Sequence, residues 1–330
     1  MRIALSVIEC LSKRSKLMED KMFYEGLIEE DIDKLLRSPK SDIHNHSTKG
    51  CRIAWLEERI NRSLPKPPEV FDGLWGMQEW FTSEIKPYCS GSEGIIMRWE
   101  GSFAEAKRNN ITRLAMNFGA KEIELVGGMD VFRKMIDCYH QAYCPDSVFE
   151  PELTYVSMCD VDEEVSKIEQ YISDGYFKSV DVCGGEDIKP AEAFLPLYRK
   201  AEKYHLIKRM HVGESGSAED VRRAVETLGL DEVHHGIHAS TSDDVMRFLA
   251  DNKIQLNVCP SSNVMLGYAP NFKEHPIKVL YENGVRVTIN TDDLLIFNSS
   301  IENEYLRLYR AGNLTAKKLD EIRKIGLGIA

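Results

Sequence analysis

Short apolar runs of β type alternate along the chain with amphipathic stretches, the pattern that signals repeated βα units around a parallel sheet. Eight such runs can be read, over residues 41–46, 111–119, 153–160, 177–184, 207–214, 232–238, 254–260 and 285–292. Between most of them, residues 163–173, 190–205, 218–228 and 243–252 repeat apolar side chains at helical spacing. Eight alternations predict an α/β fold closed into a (β/α)8 barrel. An open doubly wound sheet is the structural alternative, but no GxGxxG follows the first run, and Gly184-Gly185 lies far along the chain without the rest of that fingerprint. Two regions fall outside the repeat. Residues 1–37 read as an N-terminal helical extension, and 51–105 as a helical insertion within a barrel spanning 38–330.

Composition narrows the partners. The 330 residues suit one barrel or two ordinary domains, and 43% apolar with 29% charged residues, without long Gly, Ser or Pro tracts, describes a globular chain. A net charge of −11 argues against a nucleic-acid backbone as partner and leaves free nucleosides open. Eight cysteines without a CxxC pair suggest neither a zinc ribbon nor a disulfide framework, and read as reduced thiols in a cytoplasm. Residues 3–11 are apolar after Arg2 but run into Lys13, Arg14 and Lys16, so a plain N-terminal helix is expected rather than a signal peptide. No apolar run reaches the roughly 20 residues of a membrane span. The chain stops at Ala330 inside a predicted helix, which leaves room for a natural C-terminus further on.

The candidate chemistry follows from where ionisable residues fall. His44, His46, His211, Glu214, His235, His238, Asp292 and Asp293 all sit at the C-terminal ends of the expected strands, the catalytic face of such a barrel. Strand side chains alternate, so His44 and His46 point to the same side. His211 from the fifth run adds a third nitrogen and Asp292 from the eighth an oxygen, a donor set that suits zinc. An HxH alone is a weak signal; four polar residues at inward-facing ends of three separate runs are a strong one. His140, His205, His234 and His275 have no such placement and read as ordinary helix, loop or strand residues.

In this order the chain carries Pro39-Lys40-Ser41-Asp42-Ile43-His44-Asn45-His46, His211-Val212-Gly213-Glu214, His235-Gly236-Ile237-His238, Cys259-Pro260-Ser261-Ser262-Asn263 and Asn290-Thr291-Asp292-Asp293. On these five motifs it resembles the adenosine deaminase family of the amidohydrolase superfamily, from about Ser38 to the C-terminus; only the residues before Ser38 and the insertion after Gly50 match loosely. The resemblance implies a metal-dependent hydrolase acting on C–N bonds in cyclic amidines. It would deaminate a 6-aminopurine, adenosine or a close relative, to the 6-oxopurine and ammonia, with one Zn2+ per chain on His44, His46, His211 and Asp292. It also implies that His235 orients or deprotonates the attacking water, that Asp293 pairs with the purine at ring nitrogen seven, and that Gly184 offers its N–H to ring nitrogen three. His238 matches the family motif as well and reads as a support behind the ligands.

Chemistry supports the roles independently of the family. Hydrolysing an aromatic amine at neutral pH needs a nucleophile stronger than water, which zinc supplies by lowering the pKa of water from 15.7 to roughly 7. The ring must gain a proton near nitrogen one as carbon six becomes tetrahedral, and Glu214, three residues after His211, is the candidate donor. A dry pocket would raise its pKa and keep that proton available. Cytidine-type zinc deaminases use H-x-E and P-C-x-x-C signatures, and neither occurs here.

Departures from the family concern the substrate. Typical members continue the HxH as Leu-Asp-Gly, with the acid on the ribose, whereas this chain reads Ser47-Thr48-Lys49-Gly50. Thr48 and Lys49 therefore suit a different sugar, a phosphate or no sugar, with Lys49 and nearby Arg52 as point charges or as solvated surface residues. Leu294 stands where proline is usual after the paired aspartates. Phe71, Leu74, Trp75, Met77, Trp80 and Phe81 place an aromatic stripe on a helix by the barrel mouth, either closing the pocket or packing the helix down. The alternative functions are a deaminase of adenine, of an N6-substituted adenine nucleotide or of a non-purine amide, and an inactive metal-containing barrel that binds a nucleoside or another protein. A decayed enzyme would be expected to lose Glu214 or His235 first, and both are present.

Overall fold

All eight apolar runs become strands, hydrogen-bonded to one another in sequence order and parallel throughout: β1 (Lys40–Asp42), β2 (Ile111–Gly119), β3 (Val148–Val156), β4 (Ser179–Cys183), β5 (Ile207–Val212), β6 (Glu232–His235), β7 (Gln255–Val258) and β8 (Arg286–Ile289). This is the expected (β/α)8 barrel, and the structure, a computed structural model, describes residues 21–329 of it. The helix expected over 3–11 and Cys10 lie outside the described residues.

The ring closes at its mouth. The Asp292 N–H donates to the His44 carbonyl at 3.0 Å, and the His46 N–H to the Asp292 carbonyl at 3.4 Å. Below that, Asn290 Oδ1 accepts the Ile43 N–H at 2.9 Å, and the Asp42 carboxylate accepts the Thr291 N–H at 3.2 Å. Two backbone bonds and two side-chain-to-backbone bonds thus close this seam, and the segments they join bear three of the candidate ligands.

Local sequence explains the outer elements. Helix Ala218–Leu228 opens with Ser217 and Asp220 capping each other's backbone N–H and ends at Gly229, whose φ of +64° suits the turn out of a helix. Its Val221, Ala224, Val225 and Leu228 are buried at positions one helical face apart. Each large side chain there contributes about 1.5–3 kcal/mol by leaving water, so a Val221→Asp change would detach the helix.

The stretch 51–105 is helical: Ile53–Ile60, Gly73–Trp80, a π-helical turn Phe81–Ile85, Lys86–Cys89, and Gly91–Arg108, which packs on β2. The aromatic stripe does both of the things open to it. Phe71, Met77 and Phe81 are buried in an apolar cluster with Leu56, Leu295 and Phe297, while Leu74, Trp75, Met77 and Phe81 line the cavity at the barrel mouth. Trp75 keeps 48% of its surface in solvent. The seven described cysteines form no disulfides, and no helix among the described residues is long and apolar enough to cross a membrane.

Candidate active site

The strands deliver the candidate ligands to one point. His44 Nε2 and His211 Nε2 lie 3.0 Å apart, His46 Nε2 lies 3.1 Å from Asp292 Oδ1, and His44 Nε2 lies 3.8 Å from that oxygen. Donors around a tetrahedral zinc at about 2.0–2.1 Å are roughly 3.3 Å from one another, a spacing these distances bracket. Two strand exits are bent to achieve it. His235 and Asp292 have φ of +63° and +57°, a left-handed conformation that costs non-glycine residues about 1–3 kcal/mol and turns their side chains inward from the ends of β6 and β8.

Each imidazole is held from behind. His211 Nδ1 lies 3.0 Å from Asp181 Oδ1, His44 Nδ1 lies 3.1 Å from the Asn257 carbonyl, and His46 Nδ1 lies 2.9 Å from the Asn117 side-chain amide. For His211 and His44 these contacts place the ring proton on Nδ1 and leave Nε2 free to bind a metal; at His46 it is the Asn117 amide nitrogen that faces Nδ1. Burial, reinforced by the neighbouring imidazoles, pushes His44 well below the ordinary histidine range, which is the neutral form a metal needs. Burial also disfavours a charged His46, but Asp293 and Asp292 outweigh it and raise that group to about 9. The acidic pair thus calls for positive charge among the rings, which a divalent ion would supply in place of a proton. The residues present fit such an ion.

Beside the ligands stand the other candidates. Glu214 is buried, and burial, with the carboxylates of Asp292, Glu186 and Asp293, raises its carboxyl well above the usual range. Its Oε1 has no hydrogen-bond partner. His235 Nε2 lies 3.7 Å from Glu214 Oε1 and 3.9 Å from Asp292 Oδ2, and burial lowers the imidazole well below its ordinary value. Both shifts favour the neutral forms, so the contact is no ion pair, and at 3.7 Å it is longer than a hydrogen bond. Asp293 lines the same cavity, with Oδ2 accepting from Lys49 Nζ at 2.8 Å and Oδ1 unpartnered. Gly184 lines it too, at φ +106°, where a Cβ would come within 2.9 Å of Ser157 Oγ. Thr48 points its hydroxyl at Glu122 Oε1, 3.1 Å away, and Lys49 is an inward-facing lysine rather than a solvated one. His238 stands behind β5, its Nδ1 3.2 Å from the Gly213 carbonyl.

Sequence reasoning missed several residues that hold this arrangement. Glu186 accepts the N–H groups of Gly213, Glu214 and Ser215 at 2.8–2.9 Å, fixing the loop that carries Glu214. Asn263 holds His235 Nδ1 at 3.2 Å, and its own oxygen meets His275 Nε2 at 3.3 Å. His275 and His234 are therefore not ordinary loop and strand residues: His275 is fully engaged beneath Asn263, and His234 packs 4.0 Å under the His44 ring, centre to centre.

The cavity above these groups measures about 530 Å³, well within the range of small-molecule sites. Comparison with known proteins bears on what it does. The family model described as Adenosine deaminase matches residues 154–330. A protein of Treponema pallidum named "Putative adenosine/adenine deaminase" is 32% identical over 84% of this chain and 93% of its own length. Among solved structures, an adenine deaminase from Arthrobacter aurescens superposes with a TM-score of 0.76 at 16% identity, covering 88% of this chain and 93% of that one. An amidohydrolase from Burkhoderia ambifaria, crystallised with bound Zn, gives 0.71 at 16% identity, covering 88% and 85%. These structural likenesses establish the shared barrel.

Proposed function

Because the chain belongs to the adenosine deaminase family of hydrolytic deaminases, we propose that it removes the amino group at carbon six of a purine, adenosine or a close relative, as ammonia, with residues 38–330 as the catalytic unit and one zinc ion per chain. The observation that carries this reading is the convergence of three imidazoles and one carboxylate beside a buried Glu214 whose Oε1 lacks a partner and whose carboxyl burial raises well above its usual range. Zinc is favoured by the nitrogen-rich donor set with a single carboxylate, and by the zinc bound to the Burkhoderia ambifaria amidohydrolase.

His44, His46, His211 and Asp292 would hold the ion, which supplies a water of lowered pKa when bound. The remaining steps belong to the chain. Glu214, kept protonated by burial, donates to ring nitrogen one as the ring carbon is attacked. His235, neutral and fixed by Asn263 at Nδ1, carries its ring proton on Nε2 and would orient the attacking water by donating to it beside Glu214. Asp293 and the Gly184 N–H orient the base, Thr48 and Lys49 line the approach to it, and Met77, Phe81 and Leu266 keep water from the ring.

The test is a panel of 6-aminopurine bases, nucleosides and monophosphates, read by ammonia release. Turnover of at least one member that disappears with chelation and returns with Zn2+ is expected. Silence across the whole panel with metal-loaded protein would overturn the proposal.

A further inference from the structure

We propose that the cavity contains an anion subsite, formed by Lys49, Lys86 and Arg98 around Phe81, and that the aminopurine substrate carries a phosphate monoester held there. This rests on the deaminase reading and specifies the class of substrate within it.

Three arginines among the described residues are buried, and two of them have carboxylates. Arg209 meets Glu152 and Glu232 at 2.8 Å each, and Arg323 meets Asp320 at 2.9 Å. Arg98 is the exception. It is 5% exposed, yet among the described residues it has no carboxylate within ion-pairing distance; its Nη1 donates to the Thr48 carbonyl at 2.7 Å and its Nε to the Gly94 carbonyl at 3.2 Å. A guanidinium has five N–H donors and never gives up its charge, so two neutral carbonyls leave it both uncompensated and under-bonded. It is also the one of the three that lines the cavity.

Arg98 is not alone. Its guanidinium carbon lies 5.8 Å from the centre of the Phe81 ring, Lys49 Nζ 5.4 Å and Lys86 Nζ 5.8 Å from the same point. Lys86 follows directly on the π-helical turn Phe81–Ile85, an irregularity that recurs at functional sites. Only Lys49 has an anionic partner, Asp293, at 2.8 Å; Lys86 has none among the described residues. Lys86 is exposed and Lys49 is answered by Asp293, so the uncompensated charge at this wall is that of the buried Arg98, with two further cations around the same ring. Apart from Asp293, the cavity's Glu122 is engaged elsewhere, by the Thr48 hydroxyl at 3.1 Å and the Gly119 N–H at 3.3 Å.

A phosphate monoester fits this wall best, because it brings close to two negative charges and three acceptor oxygens to donors arriving from three elements of the chain. A cavity of about 530 Å³ has room for a sugar phosphate beyond a flat base.

The test uses the zinc-loaded full chain with adenosine and adenosine monophosphate. We expect kcat/KM for the monophosphate to exceed that for the nucleoside by about tenfold or more, with the preference shrinking as salt rises. Lys86→Ala should lower the monophosphate-to-nucleoside ratio severalfold through KM; this variant carries the argument because Arg98→Met also removes a bond to Thr48 and can disturb folding. A second arm does not depend on turnover: calorimetric binding of inosine monophosphate should be about tenfold tighter than that of inosine. Equal kcat/KM for the two substrates, or equal affinity for the two products, would overturn the subsite while leaving the deaminase reading intact. If no aminopurine releases ammonia, the deaminase reading falls and the binding arm alone decides the subsite.

Discussion

His234 and His235 are adjacent on β6 and equally buried, yet they belong to two differently constructed layers of the barrel. His234 lies in the floor, where polar groups answer one another. Glu152 meets His234 Nε2 at 3.0 Å, Arg209 Nη1 at 2.8 Å and Ser179 Oγ at 2.7 Å. Asn257 donates to Glu232 at 2.9 Å while its oxygen accepts from Gln255 and Thr288, also at 2.9 Å. Only Arg209 Nη2 is left over. His235 lies at the mouth, where Glu214 Oε1, Asp293 Oδ1 and Ser157 Oγ all lack partners around one cavity. Burial of a polar group therefore does not mark function in this barrel. What sets the mouth apart is that its unpartnered carboxylate oxygens face one cavity, where a ligand can supply the partner a buried polar group otherwise lacks at a cost in free energy.

If the layers differ in this way, substitutions in them should fail differently. The largest effect is expected at the mouth: Glu214→Gln should lower kcat by about 10²–10⁴ while metal content and melting temperature hold. A variant with unimpaired turnover would remove the assigned acid. In the floor, Glu152→Ala strands Arg209 and His234 without their shared anion and should lower unfolding free energy by about 3–5 kcal/mol in denaturant titrations. A change under about 1 kcal/mol would show that this layer is not the structural one. Asp181→Asn bridges the two, since Asp181 holds His211; metal affinity is expected to weaken by about 10–100-fold with the fold retained. Unchanged affinity in a competition titration against a chelator would detach Asp181 from the metal site.

The remaining effect concerns pH. Burial raises Glu304, whose carboxylate accepts the Ser261 N–H at the start of the helix bearing Asn263, to about 7. A carboxyl with a folded pKa above its unfolded value holds its proton more tightly when folded. Its contribution is complete below about 4.5 and is lost as pH rises through 7, at up to about 1.4 kcal/mol per pH unit. Glu304→Gln should flatten the fall in stability between those values, and an identical pH profile for the two proteins would refute the assignment.

Much of the mouth was legible because its residues cluster in short motifs at strand ends. His44, His46, His211 and Asp292 could be named from alternation and strand order alone. The strand limits were less legible: the run 41–46 forms a ladder with β2 only over Lys40–Asp42 and beyond it keeps isolated bridges, Asn45 to Asp292 and His46 to Asn117. β3 begins at Val148, five residues before the expected 153, since Glu150 and Pro151 interrupt the apolar run. The floor was not legible at all. Glu152 and His234 are 82 positions apart, and at the mouth Glu186 and Glu214 are 28 apart, so neither pair leaves a local pattern. The same holds for Lys49 and Asp293, whose 244-residue separation hides the ion pair that turns Lys49 into the cavity.

Elemental analysis of protein purified without added metal, paired with the His211→Ala variant, tests the central claim most directly. The account predicts one zinc per chain in the parent and close to none in a variant that stays folded by circular dichroism. Zinc retained in full by the variant, or a metal-free parent that still releases ammonia, would contradict it.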